Sequence, residues 1–497
     1  MKTSEPADTS TDYSGLPAGL DVLALKFAAH PLANLETYKY FNQHGPMADT
    51  VKAHYVTAAL NGNTPEAPQF FYPEIDVEAL IAYRDELSLM LEEVVELGMT
   101  EEPVRILRES IANRVHEIGI MILSKLQSQQ VSDGEMYLAV SRQLGRMMRE
   151  IYGAPSAKHW RRVLGARLQQ LSAVAHVPDV PREVQNAWRH LSQSLPDNLP
   201  IERSYMPDGA TVEYYTRQLF QRMRPSLDAV EAGIESGEVP VHDGSMDAGA
   251  IVAATRLALK ARDFTRWRVR LTDEANIDTC QADRTIYIPR TRRLTLKEFD
   301  AVVQSHEIDQ HVARRENGDA CGHPLIGGFG CTGYLSWEEG NGKVNEALVY
   351  GDVNSEAVAN GYYFSVGLAL GLDGRALSGR NFTQTFELIW RARLIEAYLD
   401  GRVEDAAEAT RTIMFETFEH LRRIFRGTDG RVPGVVFTKD ALTYYIGQTE
   451  VWRKWDRDMQ LSEPQRQAEH RLERFAKIHP LRADHRRLTL AAIRGVA

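Results

Sequence analysis

The segment His306-Glu307-Ile308-Asp309-Gln310-His311 constrains this chain more than any other, because it sets two imidazoles and a carboxylate within two turns of one helix. The helix is read from local signals. Thr295-Leu296-Lys297-Glu298 is a capping box, Phe299, Val302 and Val303 supply an apolar stripe, and Asn317-Gly318 is a stop. His306 and His311 therefore sit in mid-helix. In the commoner His-Glu-x-x-His pattern the histidines are four apart and share a face. Here they are five apart, which at about 100° per residue leaves the rings roughly 140° apart on a regular α-helix. A π-bulge gives i and i+5 a common face, so the spacing predicts one at or near Ile308 to Gln310.

Neutral imidazole is a good ligand for zinc, and a glutamate next to a ligating histidine can take a proton from water while lying too far round to ligate. His306 and His311 are thus candidate metal ligands and Glu307 a candidate general base. With 15 histidines in 497 residues such a pattern can arise by chance, and the chain contains its own control. His116-Glu117-Ile118-Gly119 opens the same way but has Met121 where the second histidine would stand, so it reads as an ordinary helix pair. The third ligand is sought in Trp337-Glu338-Glu339-Gly340. Spacing leaves both glutamates open, with Glu339 preferred. The competing reading makes Ser336 an N-cap and Glu339 its capping-box partner, with no metal involved.

Further stretches recur with this motif in one order: Arg315-Glu316-Asn317-Gly318, Pro324-Leu325, Gly333-Tyr334-Leu335, Glu338-Glu339-Gly340, Phe425-Arg426-Gly427 and Phe437-Thr438-Lys439-Asp440. Fainter echoes are Pro68-Gln69-Phe70-Phe71-Tyr72 and Tyr152-Gly153-Ala154-Pro155. Over roughly residues 65–460 the chain resembles the zinc metallopeptidase family that includes the microtubule-associated tyrosine carboxypeptidases and the bacterial flavohaemoglobin expression-modulating QEGLA-motif proteins. The resemblance implies a Zn2+ ion held by His306, His311 and Glu339, Glu307 as catalytic base, and a gluzincin-like region around the HExxxH helix. Two positions depart from the family pattern. Asp309 replaces its usual glycine, and Gly340-Asn341-Gly342 replaces Gly-Leu-Ala after the third ligand. Asp309 either bonds a ligating histidine from behind or faces water. The glycines are expected to weaken the helix that carries Glu339 and to loosen the pocket.

Composition fits a soluble chain long enough for one large or two ordinary cores, at 43% hydrophobic and 25% charged. No apolar run reaches the length of a membrane span and Met1 to Ala18 lacks the layout of a signal peptide, so the expected compartment is the cytoplasm, without membrane contact. A formal charge of -10 and a pI near 5.9 argue against nucleic acid as a partner. Cys280, Cys321 and Cys331 lack Cys-x-x-Cys spacing and read as small buried residues.

Residues 1–18 are polar and expected to be disordered. Residues 19–235 read as mostly helical, with stripes such as Leu87, Met90, Leu91, Val94 and Ile118, Ile120, Leu123, and with Pro178, Pro181, Pro196, Pro200 and Pro207 around one short helix. Ser236 to Gly249 reads as a linker, and 236–497 as the zinc metallopeptidase catalytic region. Within it Trp267 to Leu271 and Thr285 to Ile288 alternate as half-buried strands. They form either a plain hairpin or an edge able to bind an extended peptide beside the metal helix. Residues 386–426 return to helix. The fold class is mainly α with a small β-sheet (α+β). Gly328 to Gly333 matches a dinucleotide fingerprint but follows a helix end, not a strand, and reads as a loop bordering the metal cleft.

The function implied is a zinc-dependent peptidase, a carboxypeptidase removing a C-terminal residue, aromatic by the resemblance, from a peptide or protein. Such an enzyme needs a cation for the terminal carboxylate. Arg426 and Lys439 are the candidates, against a helix-capping role for Arg426 and an Asp440 or helix-end pairing for Lys439. Tyr444, Tyr445 or His323 is expected to face the oxyanion. The competing hypothesis is a binding or regulatory protein that keeps the metal scaffold without turnover; retention of Glu307 argues against it, since a scaffold has no need of a base.

Overall fold

The structure, a computed structural model, describes residues 19–33, 35, 37–41, 46–72, 75–98, 101–129, 134–197, 199–200, 205–274, 276–327, 330–353 and 357–496. The disorder expected over 1–18 lies outside them. The apolar stripes of the first half become long helices. Val77–Glu96 buries Leu80, Leu87, Met90 and Val94, and starts where the Asp76 side chain accepts from Ala79 N at 3.1 Å. Glu102–Gln129 packs against it and buries Ile111, Ile118 and Met121, leaving His116 exposed as expected for an ordinary helix position. The proline-bounded stretch holds the short helix Arg182–Ser194.

The described residues are mainly helical, with two small sheets. One apolar cluster joins Leu87, Ile118, Met148 and Trp160 to Phe364, Phe386 and Phe437, so helices from both halves of the chain share a core. A second cluster joins Val269, Ile286 and Ile288 of the sheet to Phe299, Val303, Ile308 and Val312 of the motif helix. Among the described residues, no helix is long and apolar enough to cross a membrane.

The two strands expected upstream of the motif are β2 (Arg268–Thr272) and β4 (Thr285–Pro289). They pair in parallel, Val269 opposite Ile286, which excludes a plain hairpin between them. The sheet edge near the motif helix is β3 (Asp278–Cys280), antiparallel to β4. Its three residues are too few to show an alternating pattern. Ser236 to Gly249, read as a linker, instead contains β1 (Ser245–Met246), which pairs with β5 (Leu294–Thr295) and ties this segment to the start of the motif helix.

The Thr295/Glu298 capping box forms, with Thr295 Oγ1 accepting from Glu298 N at 3.2 Å and Glu298 Oε2 from Thr295 N at 2.7 Å. The helix runs on to Ala320, past the stop expected at Asn317-Gly318, because Asn317 spends its side chain on the Arg474 carbonyl at 2.9 Å instead of ending its own helix. A second long helix, Tyr334–Tyr350, packs against both the motif helix and Gly447–Asp458. Glycines set its closest approach: a Cβ on Gly447 would lie 2.0 Å from Ser336 O, and one on Gly340 2.2 Å from Gly447 C. Neither contact can relax by a side-chain rotation, so Gly447→Ala should destabilise by about 1–3 kcal/mol. A fall in the thermal midpoint with unchanged helical circular dichroism checks this.

Candidate metal centre

Residues Phe299–Val312 form π-helical turns, a longer stretch than the single bulge the spacing predicts at Ile308 to Gln310. Bonding to the fifth residue back brings i and i+5 together. His306 and His311 accordingly stand side by side, ring centroids 5.0 Å apart and Nε2 atoms 3.1 Å apart. Glu339 reaches them from the Tyr334–Tyr350 helix, with Oε2 3.4 Å from His306 Nε2 and Oε1 3.8 Å from His311 Nε2. Ligands about 2.0–2.1 Å from one tetrahedral ion lie about 3.4 Å from each other, which is the spread seen. His306, His311 and Glu339 can therefore hold a metal ion, each offering one ligand atom and all lying within 4.8 Å of one another.

Behind each histidine stands a carboxylate of the same helix that carries Glu339. Glu338 Oε1 lies 2.9 Å from His311 Nδ1 and accepts from Gln281 Nε2 at 2.9 Å. Glu346 Oε1 lies 2.5 Å from His306 Nδ1, and Lys343 Nζ donates to it at 2.8 Å. Holding hydrogen on both Nδ1 atoms leaves Nε2 as the lone pair facing the triad. Glu338 is thus the partner of a ligand and not a member of the triad, and Glu346 was not singled out from the sequence. Its signal was there: Glu339 and Glu346 are seven apart, two turns along one helix face.

The two glycines after Glu339 do not break the helix, which is continuous from Tyr334 to Tyr350. A Cβ on Gly342 would lie 2.7 Å from His306 Nε2, so this glycine makes room for the imidazole. Ser336 is not the N-cap. Gly333 is, with φ 81°, and Ser336 Oγ donates to its carbonyl at 3.2 Å, which frees Glu339 for the triad.

Glu307 is buried on the same cavity and accepts from Thr279 Oγ1 of β3 at 2.6 Å. Burial raises its pKa, opposed by His306 and His311. Burial also works against protonated His306, yet Glu339 and Glu346 outweigh it and push that imidazole up to about 10. Glu339 is held down to about 2 against burial by His311 and His306. Asp309 follows neither expectation: it is fully buried, bonds no histidine, and is surrounded by Arg222, Arg262 and Arg474.

The cavity measures about 1580 Å³ and its wall includes Glu307, Arg426, Lys439 and Tyr444. Past the helix that ends at Ile424, Arg426 Nη2 bridges both oxygens of Asp440, at 2.7 and 2.8 Å. Arg423 donates to Asp440 Oδ2 at 2.6 Å and to the Tyr444 hydroxyl at 3.0 Å. Burial lowers the pKa of Lys439, opposed by Glu117 and Asp440. Tyr445 stacks on Tyr363 at 4.5 Å and His323 Nδ1 accepts from Leu325 N at 3.2 Å; neither is on the cavity wall. Cys321 and Cys331 are buried as expected, Cys280 only partly. In the loop read between 328 and 333, residues 328 and 329 lie outside the described residues.

Comparison with protein families, with curated proteins and with solved structures finds no match to this chain, so a functional reading rests on the residues themselves. Two outcomes follow from the geometry, with zinc as the probe ion. Glu346→Gln and Glu338→Gln should each weaken binding by about 10–100-fold without abolishing it, as read by competition with a chromophoric chelator. A metal must displace the proton that Glu339 and Glu346 hold on His306, so apparent affinity should rise with pH until the imidazole's free-state value of about 10 is approached. Titrating the same competition in neutral and alkaline buffer checks the sign.

Proposed function

We propose that the chain is a zinc-dependent peptidase of the metallopeptidase family its motifs resemble, acting as a carboxypeptidase on the C-terminus of a peptide or protein. The observation that carries this reading is the placing of Glu307 beside the His306, His311 and Glu339 triad, on the wall of one cavity. A scaffold that only bound metal would gain nothing from a buried carboxylate there. A zinc ion, when bound, supplies Lewis-acid polarisation of a carbonyl and acidifies water.

The chain's own groups account for the rest. Thr279 holds one oxygen of Glu307 and leaves the other to take a proton from the attacking water. The raised pKa makes that carboxylate a stronger base than an exposed glutamate and lets it deliver the proton to the leaving amine. Tyr444 accepts from Arg423, so its own hydrogen is available to an oxyanion. Both cations proposed for the terminal carboxylate stand on the cavity wall, where Arg426 bridges the oxygens of Asp440. Burial lowers the pKa of Lys439 against the pull of Glu117 and Asp440, and an arriving carboxylate would add to that pull. We assign Lys439 the carboxylate.

The test is a peptide library of varied C-termini, read by mass spectrometry, with the metal content of each protein measured alongside. Glu307→Gln should keep its zinc and lose turnover by about 10²–10⁴-fold. Lys439→Met should raise KM for peptides with a free C-terminus, and C-terminal amidation should abolish the difference between wild type and variant. Zinc bound with no cleavage anywhere in the library would sink the peptidase reading in favour of a non-catalytic binding protein.

A further inference from the structure

Asp309 lies in the span between the two histidines of the triad, yet its side chain faces different neighbours. His306 and His311 meet Glu346 and Glu338 of the Tyr334–Tyr350 helix. Asp309 instead meets guanidinium groups at three other elements: Arg222 within Gly209–Glu235, Arg262 at the end of Ala248–Ala261, and Arg474 at the end of Glu463–Glu473. Arg474 is bidentate, Nη1 to Oδ2 at 2.6 Å and Nη2 to Oδ1 at 2.9 Å. Arg262 Nη2 stands 2.9 Å from Oδ1 and Arg222 Nη2 3.1 Å from Oδ2. His470, 2.6 Å from Arg222, adds no negative charge.

Three cations around one fully buried carboxylate, Arg474 buried and Arg222 and Arg262 half-buried, are a poor way to gain stability alone, since the desolvation of each charge opposes the attraction. Buried ionic groups are better attested as devices that select one register among several. The backbone here has a register to select. Ala313 N donates to Ile308 O, five residues back, just where π turns give way to the α-helix Ala313–Ala320. Passing from i−5 to i−4 bonding leaves one carbonyl at the junction without a helical donor. Arg474 Nη2 donates to the Asp309 carbonyl there at 3.2 Å, so one guanidinium grips both the side chain and the backbone of this residue.

We propose that Asp309 with Arg222, Arg262 and Arg474 is a positioning device for the metal centre: it holds the residues between His306 and His311 in the π register that brings the imidazoles together. None of the four belongs to the His306, His311 and Glu339 triad. The proposal rests on the triad binding metal and adds that affinity is set in part from behind the helix.

Zinc affinity of the full chain, measured by chelator competition for wild type, Asp309→Asn and Arg474→Gln, tests it. Positioning predicts that both variants bind more weakly, Asp309→Asn by about 10-fold or more and Arg474→Gln by a smaller factor in the same direction. A through-space effect of charge predicts opposite signs, because one variant removes a negative charge and the other a positive one. A plain structural staple predicts unchanged affinity with a lowered thermal midpoint. Either of those results overturns the proposal. Should Asp309→Asn fail to fold, Arg474→Gln decides by itself: weaker binding supports the device, and unchanged or tighter binding overturns it. A wild type that takes up no zinc overturns the metal reading and this proposal together, whereas zinc binding unmoved by the substitutions overturns this proposal alone.

Discussion

A helix that offers two ligands five residues apart has to leave the α register between them, and that demand organises the surroundings of this cavity. π turns are usually single, whereas here they run for 14 residues. A stretch of that length needs support from outside the helix. It receives it from the capping box at Thr295, from Asn345, which donates to the Ser305 carbonyl at 3.1 Å, and from the sheet residues Ile286 and Ile288 packed against Phe299, Val303 and Ile308. The wide turns in return set His306 and His311 at ligand spacing.

The Tyr334–Tyr350 helix does three things with one face. It carries Glu339 into the triad, backs His311 with Glu338 and backs His306 with Glu346. This concentration of carboxylates is tolerable because each is matched by an imidazole or by Lys343, and because Gly342 and Gly340 let the helix come close enough for the matching to be direct. A larger residue at Gly342 would meet the His306 ring before the carboxylates could. Gly340, Gly342 and Asp309 therefore serve the same centre in different ways. The glycines admit the imidazole and the neighbouring helix, and Asp309 gathers arginines from three elements.

Helices were legible wherever their apolar stripes or caps were long enough to read, as over Leu87 to Val94 and at Thr295 to Glu298. The five-residue interval alone called for a π turn, because the angle between rings on a regular helix is fixed by geometry. β3 escaped notice for lack of length, and the apparent linker at Ser236 to Gly249 proved to contain a strand whose partner lies far along the chain. The glycines misled in one respect: their low helix propensity was visible, but the close contacts that require them were not.

The identity of two histidines, the glutamate between them and an acidic pair downstream came from the sequence by itself, since ligand chemistry depends on residue type and local spacing. Which glutamate joins the triad, which ones stand behind the histidines, and where Asp309 points were decided only by the tertiary structure. These depend on the rotation of one helix against another, and that rotation is set by the packing of residues, such as Gly340 against Gly447, more than a hundred positions apart.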